Sequence, residues 1–223
     1  MEIFYDEIIK AMPAGPVLIA REMGSRSAVF VPFVKIDGRE YVLFEKRAKG
    51  IRQQGEICFP GGMSDKNLDK TTEETAVRET AEELGITREK IRKGKHLGYL
   101  VSSAGLAIDV YMGRLLIKSF SELTPNASEV ENIYPVPFSF FISSKPDRYM
   151  LETEVKPMLF NENGNREILF PAKELGLPEI YHAPWKGRKA SVYVYRYEDI
   201  TIWGITAAII YEISAIIING GTH

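Results

Sequence analysis

The sequence predicts an α+β fold, and three observations carry that expectation. Runs rich in β-branched and aromatic residues recur along most of the chain. A polar stretch after residue 70 has the periodicity and end signals of one amphipathic helix. A very apolar stretch over about residues 202–219 reads as a closing helix.

In chain order, residues 2–12 read as a short amphipathic helix with Phe4, Ile8 and Ile9 on one side, ended by Pro13, Gly15 and Pro16. Residues 28–36 and 41–45 read as strands joined by the hairpin signal Asp37-Gly38. Pro32 places the first of them at an edge or on a bulge. Thr71, with Glu74 three residues on, has the capping-box pattern that opens a helix, and Gly85 is placed to stop it. Residues 95–102 and 106–117 read as strands split by Ser103-Ala104-Gly105. Residues 149–198 are strand-rich, at 149–155, 167–170 and 190–197. The aromatic loop 177–187 between the last two could stack on an adenine ring or cover core, and core is the expected role. The closing helix is short for a membrane span and contains Glu212, so it is expected in a buried core or at a homodimer interface.

The 223 residues suffice for one domain with a full core, read as 1–219, with 220–223 a cloning remnant. The formal net charge of −2 makes no electrostatic case for nucleic acid or an anionic membrane. The one cysteine, Cys58, excludes an intrachain disulfide and a cysteine-based zinc site. His96, His182 and His223 are scattered, which argues against a histidine metal cluster. The acidic, mixed start carries no signal peptide, so the expected compartment is the cytoplasm.

On the helix after Thr71, Glu79, Glu82 and Glu83 fall within about 100° of one another, while Val77, Thr80, Ala81 and Leu84 lie on the other side. A solvated acidic face is the ordinary explanation of such a cluster. Against it, like charges at this spacing cost roughly 0.2–0.5 kcal/mol per pair. Arg78 offsets part of that cost through Glu82 or Glu74. A bound divalent cation removes the repulsion, and hard oxygen ligands suit Mg²⁺ or Mn²⁺. Gly61-Gly62 supplies backbone that can approach a metal or phosphate closely. Upstream lies a basic loop in which Arg47 and Arg52 can clamp phosphates, although two solvated loop arginines look the same in isolation.

The segment Gly61-Gly62 … Arg78-Glu79-Thr80-Ala81-Glu82-Glu83-Leu84-Gly85-Ile86 resembles the Nudix box, the signature of the Nudix hydrolases. Counting back from Arg78 puts Ser64 and Lys70 where the pattern has glycine and glutamate. Arg47, Ala48, Arg52, Gly55 and Phe59-Pro60-Gly61-Gly62 resemble the motif of the coenzyme A diphosphatase branch, with 65–69 one residue longer than in that branch. Glu129-Val130, leading into Val136-Pro137, and 202–207 also resemble family segments.

The resemblance implies an α/β/α sandwich with a mixed sheet between helices. It implies Mg²⁺ or Mn²⁺ held by Glu79, Glu82 and Glu83, with the carbonyl of Gly61. It implies a carboxylate from the 129 region at the metal centre, Glu129 or else Glu131, although an acid at a helix N-terminus is an equal explanation of Glu129. Glu79, Glu83 and Glu129 are the implied catalytic set, with Glu129 or Glu79 as general base. The implied substrate is coenzyme A, bound through Arg47 and Arg52 and cleaved to 3′,5′-ADP and 4′-phosphopantetheine. The alternatives are another nucleoside diphosphate compound, such as ADP-ribose or a dinucleotide, or a non-catalytic Nudix-fold binding protein.

Overall fold

The computed structural model describes residues 27–101 and 107–220. The expected helix at 2–12, the break at 103–105 and the residues 221–223 lie outside the described residues.

The hairpin forms as its turn residues require. Asp37 and Gly38 both take positive φ, 48° and 79°, and join β1 (Ser27–Ile36) to β2 (Arg39–Arg47). These strands start a mixed sheet of seven, in the order β3-β2-β1-β6-β5, with β4 on β1 and β7 on β2. Here β3 is Ile57–Cys58, β4 Gly61–Met63, β5 Ile91–Val101, β6 Ala107–Leu115 and β7 Val130–Pro137. The β1–β6 pair is parallel; the other pairs are antiparallel.

Pro32 does not mark an edge. β1 lies inside the sheet, but one of its sides changes partner: Ser27–Val29 pair with β4, Phe33–Ile36 with β2. Pro32 stands in the gap between them, where that side has no strand partner to miss its N–H.

Alternation along β2 sorts the two faces. Val42 and Phe44 join Val31, Val110 and Val136 in one apolar cluster, covered by α2 (Phe138–Ser143) and α3 (Gly204–Ile218) through Phe141, Ile209, Ile210 and Ile213. Leu43 joins Phe30, Val34 and Leu115 in the other, covered by α1 (Thr72–Leu84) through Ala76, Val77, Ala81 and Leu84. Helices on both faces of a mixed sheet make the expected α/β/α sandwich.

The strand-rich region is a second sheet, β12-β11-β8, built from Ile200–Trp203, Trp185–Tyr197 and Asp147–Val155, with the small hairpin β9 (Met158–Phe160) and β10 (Arg166–Ile168). Two expectations are corrected here. Ile202 and Trp203 end β12, and the helix begins only at Gly204. The aromatic loop does not cover core, for Ile180 is 67% exposed, and Tyr181 meets Trp185 edge-on near the surface. The closing helix is core along its first half: Ala207, Ile209, Ile210 and Ile213 are buried, whereas Ile216, Ile217 and Ile218 are exposed. No helix among the described residues is long and apolar enough to cross a membrane.

Candidate active site

Helix α1 carries the site, and its ends are fixed locally. The Thr71 hydroxyl accepts from the Glu74 N–H at 3.2 Å, and the Glu74 carboxylate reaches back to the Lys70 N–H at 2.7 Å rather than to that of Thr71. Gly85 stops the helix in the left-handed region at φ 62°. A Cβ at Gly85 would sit 1.7 Å from the Thr124 carbonyl oxygen, so only glycine lets the following segment close over the helix end. The N–H groups of Thr124 and Asn126 donate to the carbonyls of Leu84 and Glu83, and this brings Glu129 alongside.

The acids of α1 divide by partner. Arg78 is 7% exposed and holds three carboxylates. It grips Asp69 through two parallel bonds, Nε–Oδ1 3.0 Å and Nη2–Oδ2 2.9 Å, and its Nη1 lies 2.9 Å from Glu79 and 3.1 Å from Glu82. Glu74 takes no part in this group, so the offset expected for Arg78 runs through Glu82. Sequence reading missed Asp69. The acid that pairs with Arg78 lies one residue before Lys70, nine residues upstream of Arg78. The Thr75 hydroxyl and the Asp65 N–H also donate to Asp69, at 3.0 and 3.2 Å. These bonds, that to Arg78 first, hold its carboxyl down at about 2.

Glu83 is the opposite case. It is 5% exposed, and its Oε2 accepts from the Gly61 N–H at 2.8 Å. Burial first, then the Glu45 charge, push its pKa up to about 9 against the relief of that one bond. Glu79 is pushed up too, by burial above all, although Arg78 opposes the shift. Its carboxylate lies on Gly62: a Cβ there would stand 2.5 Å from Glu79 Oε1, and one at Gly61 would stand 2.3 Å from the Ala28 carbonyl oxygen. The Gly61-Gly62 backbone of β4 is therefore pressed between β1 and the two carboxylates. Glu82 points outward, its side chain 53% exposed.

Glu129 sits in the turn before β7, not at a helix N-terminus, and this overturns that explanation of it. Its carboxylate accepts from Asn126 Nδ2 at 3.0 Å, and its charge contributes to raising Glu45, Glu79 and Glu83. Glu131, the other choice, is tied to Lys46 at 2.6 Å. Lys46 follows Phe44 by alternation onto the opposite face of β2, so Glu129 is the acid of this region beside α1.

Arg47 shares the α1-facing side of β2 with Leu43. Its Nε donates to the Arg52 carbonyl at 2.9 Å, and its backbone pairs with Glu56 and Gly55, closing the basic loop on itself. The Arg52 side chain is exposed on that loop.

Glu45, on the same strand face, was also missed. It is 1% exposed and sits beside Cys58, whose Sγ donates to Oε1 at 3.4 Å. Burial first pushes its carboxyl up to about 7. The signal that could have found it was an acid between core positions at the period of the strand.

Comparison with known proteins decides what this arrangement is. The model of the NUDIX domain matches residues 24–136, just over half of the chain. The chain belongs to the Nudix family. It is 34% identical over 140 residues to Nudix hydrolase 3 of Caenorhabditis elegans, covering 60% of this chain and 58% of that protein. It is 27% identical over 189 residues to the uncharacterized Nudix hydrolase NudL of Photorhabdus laumondii, covering 84% of this chain and 82% of that one. It is 32% identical over 119 residues to the mouse peroxisomal coenzyme A diphosphatase NUDT7, covering 53% of this chain and 49% of that protein. Among solved structures, a MutT/nudix family protein from Enterococcus faecalis covers 96% of this chain and 70% of its own, at 14% identity and a TM-score of 0.47.

Nudix hydrolases use divalent metal ions. Among the described residues, no group of three or more His, Cys, Asp or Glu side chains stands ready to hold one, because Glu79 and Glu82 turn to Arg78 and Glu83 to Gly61. The chemistry of the donors nevertheless fits. All are hard oxygens, and Glu83 and Glu79 lie buried or half-buried against β4, where ionising them calls for more positive charge than Arg78 supplies.

Proposed function

We propose that the protein is a divalent-metal-dependent hydrolase of the diphosphate linkage of coenzyme A, releasing 3′,5′-ADP and 4′-phosphopantetheine. The observation that carries this reading is the placement of Glu79 and Glu83 on the Gly61-Gly62 backbone of β4, with Arg47 and Glu129 near enough to act on the adjoining Glu45. The coenzyme A diphosphatase among its relatives supports the substrate.

Glu79, Glu82 and Glu83, with the Gly61 carbonyl, would hold Mg²⁺ or Mn²⁺. When bound, such a cation acidifies a coordinated water and neutralises the diphosphate. Arg78 keeps Glu79 and Glu82 aligned while Asp69 anchors Arg78 from behind. Glu129 or Glu79 takes the proton from water as it attacks phosphorus. Arg47, fixed through the Arg52 carbonyl, presents a guanidinium to the phosphates from the loop side, and Arg52 offers a second from solvent.

The test is to incubate the protein with Mg²⁺ and a panel of coenzyme A, ADP-ribose and dinucleotides, and to separate the products by chromatography. Coenzyme A should yield 3′,5′-ADP. AMP from ADP-ribose with coenzyme A intact would move the substrate but keep the reaction. No product from any compound would favour a binding protein.

A further inference from the structure

Glu45 has no role in that mechanism, yet it is buried beside the site with one oxygen unpartnered among the described residues. Alternation along β2 sends it with Leu43 and Arg47 toward α1, and it is 1% exposed. Its Oε1 accepts from the Cys58 thiol, and among the described residues its Oε2 finds no hydrogen-bond partner. A buried carboxylate with an open oxygen is strongly unfavourable, and a threonine or glutamine would occupy the place at less cost. The charges that reach it make this worse. Glu129 and Glu79 repel it, it repels Glu83 in turn, and Arg47 is the cation that relieves it. Its open oxygen therefore belongs to the acidic pocket of α1 and is the least satisfied group in it.

We propose that Glu45 is a further carboxylate of the cation site, offering Oε2 to the same divalent ion that Glu83 holds. The inference rests on the metal-dependent reading above. It extends the donor set from the helix across to the strand. Cys58 then has a positioning role. Its Sγ donates to Oε1 at 3.4 Å and so occupies that oxygen, leaving Oε2 as the unpartnered one.

Calorimetric titration of the metal-free protein with MnCl₂ tests this on binding alone. Glu45→Gln should weaken Mn²⁺ by about 10- to 100-fold while the protein stays folded, since the change keeps the side-chain volume and removes a buried charge. Glu83→Gln, titrated in parallel, should weaken it at least as much. Unchanged Mn²⁺ affinity in Glu45→Gln beside a loss in Glu83→Gln would overturn the inference and leave the functional reading intact. Unchanged affinity in both would overturn both. If Glu45→Gln does not fold, the anomalous map of a Mn²⁺-soaked wild-type crystal decides. A manganese peak within about 2.5 Å of Glu45 Oε2 supports the proposal, and a peak on Glu83 with Glu45 out of reach overturns it.

Discussion

Arg78 and Glu83 sit on the same helix, about one turn apart, and are almost equally hidden, at 7% and 5% exposure. Arg78 meets Asp69 in a two-bond pair and adds Glu79 and Glu82 at its rim. Glu83 meets one backbone N–H and a second buried acid, Glu45. Burial alone raises the proton affinity of any carboxylate, so the sign of the nearest partner decides the outcome: Asp69 falls to about 2 and Glu83 rises to about 9. The first cluster is neutralised by the protein itself and serves to hold α1 and its loop together. Among the described residues the second has no ion-paired cation of the protein's own, so its acids hold their protons, and ionising them suits a group that brings positive charge with it.

The variants that break this comparison should separate activity from stability. The largest effect belongs to Glu83→Gln, which should lower kcat by on the order of 10³ with the far-ultraviolet circular dichroism unchanged. Wild-type turnover in that variant would reject a metal role for the residue. Asp69→Ala should act on stability instead. It leaves Arg78 buried without its main partner and should cost about 3–5 kcal/mol in urea unfolding. A cost below about 1 kcal/mol would mean that the pair does not secure the helix.

The arginines of the loop sharpen the account of the substrate. Arg47→Ala and Arg52→Ala should be compared on coenzyme A and on its form lacking the 3′-phosphate. For at least one of them, kcat/KM for coenzyme A should fall about 10- to 150-fold through KM, with the second substrate hardly affected. Equal losses on both would place recognition of the 3′-phosphate elsewhere.

How much of this was legible depended on whether the deciding contacts were local. The caps at Thr71 and Gly85, the buried stripe Val77, Thr80, Ala81 and Leu84, and the Asp37-Gly38 turn are settled by near neighbours, and the structure has them where the spacing put them. Helix periodicity put Glu79, Glu82 and Glu83 together, whereas the structure brings Glu79 and Glu83 to Gly61-Gly62 and leaves Glu82 exposed beside Arg78. Asp69 was hidden because the count back from Arg78 lands on Lys70, and only the folded loop brings the neighbouring acid to the guanidinium. Glu45 was hidden because 41–45 is apolar on both sides, so the period that assigns it to the α1 face shows only once α1 and α3 cover opposite faces. Pro32 misled for the same reason: its tolerance depends on β1 changing partner from β4 to β2, which no local pattern encodes.

The most direct test of the central claim, that Glu83 ionises at a cost which a cation removes, is the melting temperature of metal-free wild type and Glu83→Gln from pH 5 to pH 9. The Glu83 carboxyl moves from its ordinary 4.5 to about 9 in the folded state. Between those values the folded protein binds the extra proton, so wild-type stability falls as pH rises through the window, and the variant has no such loss. The wild type should therefore drop progressively below Glu83→Gln toward pH 9, and saturating Mg²⁺ should restore the wild type alone. A difference between the two proteins that stays flat with pH, or a wild type whose melting Mg²⁺ leaves unchanged, would contradict it.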